Sequence, residues 1–320
     1  MIAFSIIYGS IAGMTAPQLT IVTSTDWHDY ELLDSGNLKK LERFAEFRFI
    51  RPEPQAMWQP RLDADAWVAD GVFRPDKNET DNSDSGGWQL SKNLPDSWQM
   101  RYQDLRFLAR PTPFRHLGFF PEQAAHWNWC AEKIHQFQQK HNRRPHILNL
   151  FAYSGLASLH AATAGAEITH VDASKKAIAQ AFENRDVCGL QDAPIRFITD
   201  DARGFVAREI RRQRTYDGII MDPPKYGRGP KGETWRIEDD LRPLLQQATD
   251  LLSQDAVFLL LTIYAIRASS LAAHYALEDT LKGRHGQIDS GELAIEESAL
   301  NGQSTRRFVS QANFARWAAY

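Results

Sequence analysis

From residue 146 to about residue 281 the chain alternates short apolar runs with helical stretches, and this alternation constrains the fold more than any other feature. "HILNLFAY" reads as a strand, and "GLASLHAATAG" as a helix closed by Gly165. "EITHVDAS" is a strand, and "KKAIAQAFENRDVCG" a helix closed by Gly189. "IRFITDD" leads into a helix through "GFVAREIRRQ", and "YDGIIMD" into one around "IEDDLRPLLQQATDLL". "AVFLLLTIY" is the next strand, with a helix over 268–281, and "GQIDSGELAIEES" and "RRFVSQANFARWAAY" supply two final extended runs. Repeated strand–helix units pack as a parallel, doubly wound sheet with helices on both faces.

The region before this is different in kind. Residues 20–115 are rich in tryptophan, proline and turn residues, with short aromatic and β-branched runs between them. That pattern predicts a smaller, β-rich accessory domain, with "NETDNSDSGG" (78–87) as a mobile hairpin tip or loop. The helical pattern of "FFPEQAAHWNWCAEKIHQFQQK" opens a second domain over 116–320, with Pro121 and Glu122 suited to a first helical turn. Residues 1–19 read as a disordered leader, or as the product of a start placed too early with Met14 as the true beginning. The leader has no basic n-region and is too short to span a bilayer. Two cysteines in 320 residues, Cys130 and Cys188, without metal-ligand spacing, fit a reducing cytoplasm and ordinary buried thiols. The formal net charge of −3 shows no global basic field, which leaves nucleic-acid binding to a local groove.

In a doubly wound sheet, ligands bind beyond the carboxyl ends of the strands. Those ends carry "NLFAYSG", Asp172, Asp200 with Asp201, and Asp222. The first loop has one glycine, Gly155, and no G-x-G-x-x-G or G-x-x-x-x-G-K-[ST], so a diphosphate ligand is disfavoured. A nucleoside-like ligand without phosphates still needs an acid for its ribose and a second near its adenine amino group, and Asp172 and Asp201 are placed for these. In "MDPPKYGRG" neither proline can donate a ladder hydrogen bond, so the strand stops and presents Asp222 on a stiff shelf.

S-adenosylmethionine fits that ligand description. "LNLFAYSG", "VDAS", "DDA" and "DPPK" in this order resemble the class I S-adenosylmethionine-dependent methyltransferases. More narrowly, they resemble the bacterial 23S rRNA large-subunit family that modifies cytosine C5 or guanine N7. The resemblance covers about residues 110–320 and implies a Rossmann-like, mostly parallel seven-stranded sheet. It implies that Phe151, Ala152, Tyr153, Ser154 and Gly155 line the methionine and ribose side, and that Asp172 binds the ribose diol. Ala173 and Ser174 would lie beside the adenine, Asp201 with Ala202 at its edge, and Asn184 near the cofactor. Gln123 would come from the preceding segment, "HLGFFPEQAAHW", that closes over it.

The acceptor side departs from part of that family. Cytosine C5 needs a cysteine to add at C6, placed after the fourth or fifth strand. Here those positions read "DPPKYG" and "LLLTIYAIRAS", without cysteine. A base nitrogen of RNA, probed by Asp222 and the Pro223 and Pro224 carbonyls, is the expected acceptor. Lys225 would touch phosphate, Tyr226 would stack on a base, and "GRGPKGETWR" would form a mobile lid. The alternatives are a methyltransferase of a small molecule or protein, and a non-catalytic cofactor-binding module.

Overall fold

The computed structural model describes residues 16–24, 26–76, 86–264, 268–298 and 307–320. Of the leader expected over 1–19, residues 1–15, Met14 among them, lie outside the described residues, as does most of the 78–87 tip, while Leu19 opens a strand.

The N-terminal part opens with Leu19–Val22 (β1), then Tyr30–Gly36 (β2), Lys39–Phe44 (β3), Phe47–Pro52 (β4), Gly71–Pro75 (β5) and Gly86–Leu90 (β6). Strands β2 to β6 form one sheet in sequence order, antiparallel except for the β4–β5 pair. Trp98–Tyr102 (β7) and Leu105–Ala109 (β8) make a separate hairpin with alternating buried residues, the period-2 pattern of a strand with one wet face.

A short 3₁₀ turn, Pro121–Gln123, leads into Ala124–His141 (α1). Then come His146–Leu150 (β9), Leu156–Thr163 (α2), Glu167–Asp172 (β10), Lys175–Val187 (α3), Ile195–Thr199 (β11), Ala202–Arg211 (α4) and Gly218–Met221 (β12). The chain ends with Tyr226–Arg228 (β13), Thr234–Arg236 (β14), Ile237–Asp250 (α5), Phe258–Ile263 (β15), Ser270–Thr280 (α6), Gln287–Glu296 (β16) and Phe308–Ala318 (β17).

The large sheet has the order β1-β16-β17-β15-β12-β9-β10-β11 and is parallel except where β17 meets β15 and β16. The chain steps outward from β9 in both directions, so the carboxyl end of β9 is the topological switch point. The seven strands expected here are joined by an eighth. Leu19–Val22 pairs in parallel with Ser290–Leu293, so the β-rich unit expected from residue 20 gives up its first strand to the large sheet.

One apolar core joins the two parts. Tyr30, Phe44, Phe49, Trp98 and Phe107 pack in the same cluster as Trp127, Leu156, Ile295 and Val309. Polar ties cross the same junction: Trp27 Nε1 donates to the Pro121 carbonyl at 3.1 Å, and Arg51 Nη1 to the Arg115 carbonyl at 3.0 Å. The N-terminal sheet therefore holds the segment that leads into α1. Arg51 is itself buried, paired twice with Glu42 at 2.6 and 2.7 Å, while Lys40 pairs with Glu53 at 3.1 Å. No helix among the described residues is long and apolar enough to cross a membrane.

Candidate active site

The switch point opens into a cleft. Its wall after β9 is the loop Phe151–Gly155. Phe151 (φ 57°), Tyr153 (φ 48°) and Gly155 (φ 89°) are all left-handed, a conformation that costs the two bulky residues energy and needs external support. The support comes from the next strand. Asp172 Oδ2 accepts from Tyr153 N at 2.8 Å, its Oδ1 accepts from Ser174 N at 2.8 Å, and Ala152 N donates to the Val171 carbonyl at 3.1 Å. At Gly155 a Cβ would stand 3.0 Å from the Ala181 methyl of α3, so loop and helix approach closely only because the residue is glycine. Below the loop, Asn149 Nδ2 bonds Ser158 Oγ at 2.9 Å, and Ser158 Oγ meets His170 Nδ1 at 3.0 Å.

The opposite wall holds Gln123 and Asp222, joined by a bond from Gln123 Nε2 to Asp222 Oδ2 of 3.0 Å. Gln123 Nε2 also donates to Tyr264 Oη at 2.9 Å. Asp222 Oδ1 is shielded from solvent and has no partner among the described residues. Burial, with the Glu122 charge behind it, pushes the Asp222 carboxyl up to about 8, against the opposing Gln123 bond. Burial likewise raises Asp172, with the Ser174 and Tyr153 amides pulling it back. Phe120 lies between the two walls, 6.0 Å from the Tyr153 ring and 5.6 Å from the Tyr264 ring.

The sequence-predicted residues divide. Gln123, Phe151, Ala152, Tyr153, Ser154, Gly155 and Asp222 line the one cleft, and Asp172 is tied to its wall. Ser174 caps α3, accepting from Ala177 N at 3.3 Å, with Ala173 between it and Asp172. Asp201 and Ala202 begin α4 outside the cleft lining, and the Asp201 carboxylate caps that helix through Gly204 N at 2.9 Å. Asn184 is neither on the helix surface nor in the cleft lining. It is buried, its Oδ1 accepting from Leu108 N at 3.0 Å and its Nδ2 donating to the Ser154 carbonyl at 2.9 Å. It positions the loop instead of facing the cleft.

The shelf also differs from expectation. Pro223 is buried, while Pro224, Lys225 and Tyr226 are exposed. The stretch read as a mobile lid is a β-hairpin, β13 against β14, because Trp235 opposite Gly227 is buried against Phe151 at 4.9 Å. Trp235 Nε1 donates to the Pro224 carbonyl at 2.6 Å, so that carbonyl helps to hold the hairpin. Two residues escaped sequence reasoning. Glu122 was legible only as a first-turn acid, and Tyr264 only as the end of an apolar strand.

A fold of this order, with its cleft at the switch point and an acid at the end of each neighbouring strand, defines a nucleoside-cofactor enzyme of the doubly wound class. The comparisons narrow it. The crystal structure of an S-adenosylmethionine-dependent methyltransferase from Agrobacterium tumefaciens matches with a TM-score of 0.87 and 42% identity, covering 98% of this chain and 99% of that one. The chain belongs to the S-adenosylmethionine-dependent methyltransferases. The family model described as conserved hypothetical protein 95 matches residues 123–259. Among curated relatives, the ribosomal RNA large subunit methyltransferase K/L of Shewanella baltica is 37% identical over 118 residues, which are 36% of this chain and 16% of that protein. The match thus spans about a sixth of that relative's length. A Streptococcus mutans methyltransferase structure, 16% identical with a TM-score of 0.66, shares the fold.

Proposed function

We propose that the chain methylates a nitrogen of an RNA base by direct in-line transfer, without a cysteine nucleophile. The observation that carries this reading is the make-up of the acceptor wall: a partnerless carboxyl oxygen on a rigid shelf, and no thiol. Cys130 sits in the core of α1, where burial pushes its thiol up to about 12, and Cys188 donates to the Arg106 carbonyl at 2.7 Å. Neither lines the cleft. A carbon acceptor such as cytosine C5 needs a thiolate to add first, whereas a nitrogen lone pair does not.

The cleft suits the cofactor on its own chemistry. It offers a wall of loop backbone held from behind by Asp172 on one side, aromatic rings on another, and no Gly-rich diphosphate cradle. When bound, S-adenosylmethionine supplies an activated methyl group on a sulfonium. The chain's contribution is placement, which accounts for much of the rate in such displacements. Phe151 to Gly155 hold the cofactor, Asp172 fixes that loop and takes the ribose, and Asp222 orients the acceptor from its stiff shelf. RNA as the acceptor class is supported by the likeness to the Shewanella ribosomal RNA large subunit methyltransferase and by exposed Lys225, Tyr226 and Arg228, suited to phosphate and base stacking. The net charge of −3 favours a small molecule or protein as the second reading.

The test uses radiolabelled S-adenosylmethionine and RNA from cells lacking the gene, with nucleosides resolved by mass spectrometry. A labelled base nitrogen, lost on prior RNase treatment, is expected. Lys225→Ala with Tyr226→Ala should lower that transfer more than cofactor affinity. Label on C5 of a pyrimidine, or on protein or small molecules only, refutes the reading.

A further inference from the structure

The segment from Arg110 to Phe120, between β8 and the 3₁₀ turn, leaves one large apolar ring in the open. Phe114 is 50% exposed. A single exposed ring is ordinary on a protein surface. Here, though, the backbone that carries it is fixed from several elements. Pro111 and Pro113 set their own φ and push Arg110 and Thr112 toward extended backbone. The Thr112 hydroxyl accepts from Phe114 N at 3.2 Å and donates to the His116 carbonyl at 2.8 Å. Two strands of the N-terminal sheet reach across to the same stretch. Trp88 Nε1 of β6 donates to the Thr112 and Phe114 carbonyls at 2.9 and 3.0 Å, and buried Arg51 of β4 donates to the Arg115 carbonyl at 3.0 Å. Gln180 Nε2 of α3 adds a bond to the Gly118 carbonyl at 3.3 Å.

The side chains carry that order to the cleft. The Phe114 ring is stacked on His116, with centroids 5.7 Å apart and planes 26° from parallel. His116 in turn lies 5.6 Å from the Tyr153 ring and 5.2 Å from the Phe120 ring, and both of these line the cleft. A row of rings thus runs from solvent to the cleft wall, with Phe114 at its outer end. Gly118 N fixes the imidazole by donating to its Nδ1 at 3.3 Å. Burial, with the Arg51 and Arg115 charges beside it, pushes His116 down to about 4, so the ring is neutral at pH 7. What the row offers a ligand is flat, uncharged π surface.

A base that enters a cleft for chemistry must leave its stack, and its neighbour in the strand then loses a stacking partner. A fixed aromatic ring next to the cleft replaces that partner. We propose that Phe114, backed by His116, is a stacking platform for an unpaired base adjacent in the RNA strand to the one being methylated, and that the N-terminal sheet serves the reaction by holding this platform in place. The inference rests on RNA being the acceptor. Two features select a base over a protein partner. Phe114 is the only large apolar side chain of the segment left exposed, whereas a protein partner needs a far larger patch. The row of rings is also continuous with the cleft that the acceptor has to enter. Stacking on a neutral ring neutralises no phosphate, so this contact adds nothing to the salt dependence of binding.

The experiment is steady-state methyl transfer by the full chain to RNA from cells lacking the gene, at several salt concentrations. Affinity for S-adenosylhomocysteine, the product left after transfer, is measured by calorimetric titration, and stability by the thermal midpoint. Phe114→Ala should raise KM for RNA by about 5- to 150-fold, the worth of one stacked base, and leave kcat, product affinity and midpoint unchanged. Phe114→Trp should keep the KM of the unmodified chain. The log–log slope of kcat/KM against salt should be unchanged in Phe114→Ala, whereas Lys225→Ala should reduce it by about one. Trp88→Phe keeps a ring against Phe49 and Phe73 but frees both carbonyls, and it should raise KM for RNA in the same direction. An unchanged KM in Phe114→Ala overturns the proposal. So does a rise that Phe114→Trp shares, or one that comes with lost affinity for S-adenosylhomocysteine, since the ring then supports Tyr153 and the cofactor loop. An unchanged KM in Trp88→Phe refutes the part given to the N-terminal sheet. The reading beneath fails separately: no label in RNA with the unmodified chain refutes RNA as acceptor and the platform with it, while labelled RNA with an unaffected Phe114→Ala refutes the platform alone.

Discussion

Replacing Asn184 by alanine separates a loop-positioning role from cofactor contact. The side chain is buried and makes two bonds to backbone, one to Leu108 N of β8 and one to the Ser154 carbonyl of the cleft loop. Alanine removes both and leaves a donor and an acceptor unpaired. Each orphaned group costs about 1–3 kcal/mol, which gives about 2–6 kcal/mol for the two, and a loss of about 3 kcal/mol is a conservative value within that range. For a domain of this size that lowers the thermal midpoint by about 6–12 °C. The same change frees Ser154, so affinity for S-adenosylhomocysteine should fall as well, although Asn184 does not touch the cleft. Scanning calorimetry with and without saturating ligand reads both effects. Asn184→Asp keeps the acceptor for Leu108 N but loses the donor to Ser154, and it should recover only part of the stability. A midpoint unchanged within about 1 °C, together with weakened ligand binding, would refute the positioning argument and put Asn184 in direct contact with the cofactor.

Two further predictions concern the shelf and the N-terminal sheet. Trp235→Phe keeps the ring against Phe151 but removes the bond to Pro224. It should cost about 1 kcal/mol and slow methyl transfer without weakening cofactor binding; an unchanged rate in single-turnover assays would show that the hairpin does not set the shelf. Burial alone would raise Glu42, but Arg51 and Lys40 hold its folded value below the ordinary 4.5. Stability from this site is therefore complete above about pH 4.5 and is lost as pH falls through the folded value. Glu42→Gln should lower the neutral-pH stability by about 3–5 kcal/mol, since Arg51 stays buried, and should flatten the acid limb of the melting curve. An acid limb of unchanged steepness would remove Glu42 as its source.

The strands and helices from His146 onward are legible because each satisfies its own period locally. β9, β10, β12 and β15 are apolar runs bounded by acids, glycines or prolines. Leu19–Val22 is not legible as part of the large sheet, because what defines it is a partner about 270 residues away. At the site, residue types at the strand ends pointed to the cleft, and Asp172, Asp222 and Gln123 gather there. What the types do not reveal is direction. Asn184 turns to the backbone, and Asp201 spends its carboxylate on a helix cap. Tyr264 meets Asp222 only through Gln123, in a side-chain chain that exists after folding. The hairpin had one local signal that the glycine-rich reading overlooked: an apolar ring, Trp235, inside an otherwise basic stretch.

The pairing of β1 with β16 carries a consequence for biosynthesis. The first described strand leaves the ribosome with its hydrogen-bonding edge bare and finds its partner only when residues 290–293 have been made. The same delay applies to Leu32, which bridges to Glu297, and to the Ser35 hydroxyl, which binds the Glu297 carboxylate. Contacts of such sequence separation form slowly and late. The amino-terminal segment must therefore wait, with the backbone edge of β1 unpaired, until the carboxyl-terminal strands arrive to fasten it. Chains cut short before β16 should be recognised as unfinished by any factor that samples exposed strand edges.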